Sequence, residues 1–152
     1  MDDGGLVMKI KILFVVSIIF LTIPALAHEN VKNDTVKQRM QLMKVIKDTM
    51  ATIGKMARGV DPFTEESAST AKQTLLNAAA DIENKFKLNE TDPLSESSPA
   101  IWENWEDFVD KADDFSFMIE GLETTSAETL AAGLGNIGQS CGSCHKTYRI
   151  KK

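Results

Sequence analysis

Chemically versatile side chains are scarce in this sequence, with two cysteines, two histidines, two tryptophans and one tyrosine among 152 residues. No set of nucleophile, base and orienting group stands out that would suggest a hydrolase. Turn formers are scarce as well. Four prolines and nine glycines are too few for a many-stranded sandwich or barrel, and they leave room for long uninterrupted segments. Nor is positive charge in excess: 17 Lys and Arg stand against 22 Asp and Glu, a formal charge of -5. A general nucleic-acid binder needs a basic face for phosphate contacts, so that class is set aside, and partners are expected to be basic or neutral. The length suits one globular domain and excludes a multidomain enzyme. There is no internal repeat and no low-complexity tract.

The N-terminus reads as an export signal. Lys9 and Lys11 precede a nearly unbroken apolar run from Ile12 to Ile23, and Ala25-Leu26-Ala27 follows as a cleavage site. The run is shorter than the roughly 20 residues of a spanning helix, so residues 1–27 are expected to be a cleaved signal peptide rather than an anchor. Asp2 and Asp3 do not suit such a signal, which leaves Met8 as a second candidate start. Cleavage after Ala27 removes two acids and two lysines, so the domain at 28–152 keeps the formal charge of -5. An acidic periplasmic domain with no membrane span after processing is the expectation. His28 would then be a frayed terminal residue.

Four amphipathic segments follow. Val36, Arg39, Met43, Ile46, Met50, Ile53, Ala57 and Val60 keep the 3-4 spacing of a bundle helix, which Gly59 and Asp61-Pro62 end. Thr64 caps a second helix, whose narrow stripe is Ala68, Ala71, Leu75, Ala79, Ile82 and Phe86. Residues 88–97 read as the longest loop. Ser98-Pro99 opens a third helix carrying Ile101, Trp105, Phe108, Ala112, Phe115, Ile119 and Leu122, which Gly121 closes. Thr125 with Glu128 is expected to form a capping box for the fourth, whose stripe is Ala127, Leu130, Leu134, Ile137, Cys141, Cys144 and Tyr148. The fold class is therefore all-α, an antiparallel up-down-up-down four-helix bundle.

Both cysteines and one histidine fall within Cys141-Gly-Ser-Cys144-His145. A shuffled chain would give this order about two times in ten thousand, and the pattern is the c-type haem attachment signature. Thiols three apart lie on one helix face, where they can add to the two vinyl groups of haem, and His145 can then direct a ring nitrogen at the iron. A disulfide at this separation is strained and closes almost no loop. A thioredoxin-like pair would want its first thiol at a helix N-terminus, whereas this pair sits near a C-terminal end. A zinc site lacks a fourth good ligand. One covalent haem c per chain is the expected cofactor.

Arg39 is the one charge on the first stripe, and a buried cation needs a partner. A haem propionate, a carboxylate on a neighbouring helix, or solvent at the bundle end could each serve. Met43 lies one turn further on the same face, as a candidate iron ligand or as ordinary core filling.

Together, Arg39-Met-Gln-Leu-Met43-Lys, Arg58-Gly59, Ser98-Pro99-Ala-Ile-Trp102 and Cys141-Gly-Ser-Cys144-His145-Lys-Thr-Tyr148-Arg149 resemble the cytochrome c′ family over essentially all of the mature chain. The resemblance implies haem between the helices, with His145 as the proximal ligand and Met43 facing the other side of the iron. It also implies Arg39 near a propionate, Phe108 against the haem and Arg149 beside His145. Two functions follow from it. One is a low-spin electron carrier of the cytochrome c-556 type, with His145 and Met43 bound and an unidentified redox partner protein. The other is a high-spin cytochrome c′ that takes up nitric oxide or another small gas. Leu42-Met43-Lys44 and Ser97-Ser98-Pro99 look like the first group, and Arg39 looks more like the second. A haem-free thiol oxidoreductase is the alternative from another class, and pairing into a homodimer is left open.

Overall fold

The computed structural model describes residues 30–151. The expected signal segment and His28 lie outside them. The long helices are α1 (Asp34–Ala57), α2 (Glu65–Ala80), α5 (Trp105–Glu120) and α6 (Ala127–Tyr148), with short α3 (Ile82–Phe86) and α4 (Ala100–Glu103) between them. Helix α1 packs on α2 and α6, and α5 packs on α2 and α6, so the long helices close a ring in chain order. This is the expected four-helix bundle. Extended pairing among the described residues is a single antiparallel bridge between Ser97 and Arg149.

Local chemistry sets the helix ends. The Asn33 side chain accepts from the Val36 amide at 3.0 Å and caps α1. Past its C-terminus Gly59 adopts φ +66°, the left-handed turn for which glycine has no steric penalty. Thr64 accepts from the Ser67 amide at 3.1 Å and caps α2, with Glu65 and Glu66 in the first turn. The C-terminus of α5 is capped from across the bundle: Lys72 Nζ donates to the carbonyls of Glu120 and Leu122 at 2.8 Å each. At α6 the capping box belongs to Ser126 and Thr129 rather than Thr125 and Glu128. Ser126 Oγ accepts from the Thr129 amide at 3.2 Å, and Thr129 Oγ1 accepts from the Ser126 amide at 3.1 Å. A threonine hydroxyl thus supplies the return acceptor expected from a glutamate.

The second and third segments are each broken once. Asp81 separates α2 from α3, and Asn104 separates α4 from α5. Asn104 leaves the helical region (φ -131°, ψ 52°), and both its amide and its side-chain nitrogen donate to the Ala100 carbonyl, at 3.0 and 3.2 Å. Such a side chain competes with the backbone for the helix's own acceptors. The apolar spacing runs through both breaks. All six stripe residues of the second segment are buried, as are Ile101, Phe108, Ala112, Phe115, Ile119 and Leu122 of the third.

Helix α1 departs further from its expected stripe. Leu42 and Met56 join the core, Met43 and Met50 are half-buried, and Val60, past the helix end, is 66% exposed. A straight helix drifts by about 20° per heptad against a strict seven-residue repeat, which moves the buried line sideways. At the α5–α6 corner, Gly133 makes a close approach possible. A Cβ there would stand 2.5 Å from Leu122 Cδ1.

Candidate functional site

The last two turns of α6 carry Cys141, Cys144, His145 and Tyr148. One face points inward: Cys141 and Cys144 are half-buried against the core, and Tyr148 is 4% exposed. Both thiols are free. Burial pushes the Cys144 thiol up to about 11 and raises that of Cys141. Thiol exchange at neutral pH needs the opposite shift. His145 is exposed, and its partial desolvation, followed by the neighbouring Arg149 cation, lowers its pKa. A neutral imidazole is the form that binds iron. Two inward thiols three residues apart, beside a histidine that favours its neutral state, form the donor set that covalent haem requires, so the residues fit that group.

The turn after His145 is held by contacts that are distant in sequence. The Tyr148 hydroxyl donates to Asp107 Oδ2 at 2.5 Å, and Lys111 Nζ lies 3.3 Å from Asp107 Oδ1. That hydroxyl bond, ahead of the Lys111 ion pair, lowers the Asp107 pKa. The Tyr148 phenol is pushed up to about 12, by burial first and by Asp107 second. Its ring meets Phe108 edge-on at 5.4 Å between centroids. Phe108 in turn lies 5.3 Å from Phe86 and 5.5 Å from Trp105, at the centre of an aromatic cluster. Beyond Tyr148, Arg149 donates its amide to the His145 carbonyl at 3.2 Å, and its side chain pairs with Glu96.

Arg39 is 1% exposed. Its charge meets main-chain oxygens. Nε donates to the Lys85 carbonyl at 3.0 Å, Nη1 to the Glu90 carbonyl at 2.8 Å, and Nη2 to the Leu88 carbonyl. The guanidinium carbon lies 5.3 Å from the centroid of Phe86 and 5.0 Å from that of Trp102, a cation between two aromatic faces. Trp102 is fixed there by donating to the Phe86 carbonyl at 2.8 Å. Sequence reasoning sought an anion or solvent for this charge. It could not see the carbonyls, because the identity of a residue says nothing about where its backbone oxygen points. Met43 is half-buried and packs on the core from α1, which itself packs on α6. Asp107, Lys111 and Glu96 were not singled out, since in the sequence they read as ordinary surface charges.

The model of the family described as Cytochrome C' matches residues 34–149. The chain belongs to the cytochrome c′ family. A cytochrome c-556 of Agrobacterium tumefaciens (strain B2A) is 33% identical over 121 residues, which cover 77% of this chain and 98% of that protein. Among solved structures, oxidized R. palustris cytochrome c556 superimposes with a TM-score of 0.68 at 28% identity, covering 78% of this chain and 98% of that one. A nitric oxide complex of a cytochrome c prime variant from Alcaligenes xylosoxidans superimposes with a TM-score of 0.69 at 24% identity, covering 78% and 95%. At that identity the likeness is one of fold. As a cytochrome c′ family member the chain is a c-type haem protein of the electron-transfer or gas-binding class, not a thiol oxidoreductase. No helix among the described residues is long and apolar enough to cross a membrane.

Proposed function

We propose that the protein is an exported, periplasmic electron carrier whose single haem c would be joined to Cys141 and Cys144, with His145 and Met43 as the residues that would bind its iron. The observation that carries this reading is the pair of inward, free thiols next to His145 on α6. When bound, the haem supplies a one-electron iron couple. The chain's own residues do the rest. Cys141 and Cys144 tether the group, His145 offers a neutral ring nitrogen, and Met43 offers a thioether from the helix that packs on α6. Phe108 and its aromatic neighbours give an apolar wall that excludes water, which limits reorganisation during electron transfer.

Arg39 keeps a role toward the propionates on this reading. A guanidinium has five N–H donors. Three are given to carbonyls, which leaves one on each terminal nitrogen for a carboxylate. The signal at 1–27 directs export.

Methionine ligation is tested by Met43→Ala in the holoprotein. The substitution is expected to convert a low-spin spectrum to a high-spin one and to admit carbon monoxide. An unchanged low-spin spectrum would remove Met43 from the iron. The second reading, a five-coordinate gas-binding protein, is favoured by the nitric oxide complex of the Alcaligenes neighbour. It predicts that the unmutated protein already binds carbon monoxide.

A further inference from the structure

The segment that follows His145 is paired with the loop between α3 and α4, some 50 residues earlier. The Ile150 amide donates to the Glu96 carbonyl at 2.8 Å, and the Ser98 amide donates to the Tyr148 carbonyl at 2.9 Å. These bonds flank the Ser97–Arg149 bridge and set the two backbones side by side. Within this frame Arg149 Nε and Nη2 each lie 2.6 Å from Glu96 Oε2. Arg149 is also the residue whose amide closes the helical turn on the His145 carbonyl, at 3.2 Å. Both side chains of the pair are about half exposed, and ion pairs so placed contribute little to stability. Both charges nevertheless act through space on His145, Arg149 unfavourably and Glu96 favourably toward its protonated form.

We propose that Glu96 is a positioning residue for the side of the haem that His145 serves. Its carboxylate holds the Arg149 guanidinium in place, so that the two opposite charges offset each other beside the ligand. The proposal rests on His145 being an iron ligand, as argued above. Without Glu96, Arg149 keeps an uncompensated positive charge and is free to move over the His145 turn. A positive charge there favours ferrous over ferric iron and raises the reduction potential. Without Arg149, Glu96 has no cation to hold it and turns its carboxylate to water, where it is screened. Removing Glu96 in that background therefore changes little.

The test is a spectroelectrochemical titration of four holoproteins: native, Glu96→Gln, Arg149→Gln and the double variant. Thermal unfolding of each serves as the control for folding. Glu96→Gln alone is expected to raise the midpoint potential, with a melting temperature close to native. The shift it causes in the Arg149→Gln background is expected to be less than half as large. Equal shifts in the two backgrounds would overturn the proposal, because Glu96 would then act only through its own charge. No shift in the native background would overturn it too. Failure of the underlying reading shows separately, as a native spectrum that lacks histidine-ligated haem c.

Discussion

At Arg39 a cation is stabilised by three carbonyls and two aromatic faces, with the Glu90 carboxylate adding favourable charge, which gives the residue a structural role independent of haem. Arg39→Leu removes the guanidinium donors from all three carbonyls in one step, with the Leu88 carbonyl keeping only its bond from the Glu90 amide. Leaving buried polar groups unpaired costs about 1–3 kcal/mol each, reduced where water can reach them. A loss of about 2–4 kcal/mol in urea unfolding of the holoprotein is expected, with the haem still covalently attached; a loss near zero would mean that the cradle is not formed. Tyr148 carries a pH signature. Its phenol has a folded pKa of about 12 against an ordinary 10, so the neutral form is favoured by folding. The stabilisation is fully present below pH 10 and is lost as pH rises through about 12. Unfolding midpoints followed from pH 9 to 12 should fall over this window, and Tyr148→Phe should flatten the fall. The cysteines, His145 and the oddity of Arg39 were legible because residue type and spacing carry them. Glu96 and Asp107 were not, because their partners lie 53 and 41 residues away.

At the scale of elements, the apolar stripes of the second and third segments were legible almost residue by residue, since burial follows helical period, while in the fourth Leu130, Ile137 and Tyr148 are buried and the other four are half-buried. Ala68 to Phe86 and Ile101 to Leu122 show this directly. The interruptions at Asp81 and Asn104 were not legible. Neither position has a proline, and the spacing continues across both, so periodicity alone reads one helix where there are two. The cap of α6 was misplaced by one residue because Thr125, Ser126 and Thr129 all carry hydroxyls, and only geometry selects among them. The close corner at Gly133 gives a further expectation. Gly133→Ala puts a methyl against the buried Leu122 side chain and should cost about 1–3 kcal/mol, as overpacking does. Its helix propensity alone would favour alanine by up to about 1 kcal/mol, so the sign of the measured change distinguishes packing from propensity.

For the molecule as a whole, the ring of four long helices presents one inward thiol pair beside one accessible histidine, all on its last helix. Covalent haem is the chemistry this arrangement serves. Cys141→Ala combined with Cys144→Ala is expected to abolish haem attachment, seen as loss of the haem stain after denaturing electrophoresis, and to lower the thermal stability of the remaining chain. The fold leaves one distinction to the iron itself, because electron-carrying and gas-binding members share the bundle. The most direct measurement is the absorption spectrum of the reduced, unmutated holoprotein before and after carbon monoxide. Ligation by His145 and Met43 predicts sharp low-spin bands that carbon monoxide leaves unchanged. A high-spin spectrum that shifts with the gas near neutral pH would contradict it and assign the protein to gas binding.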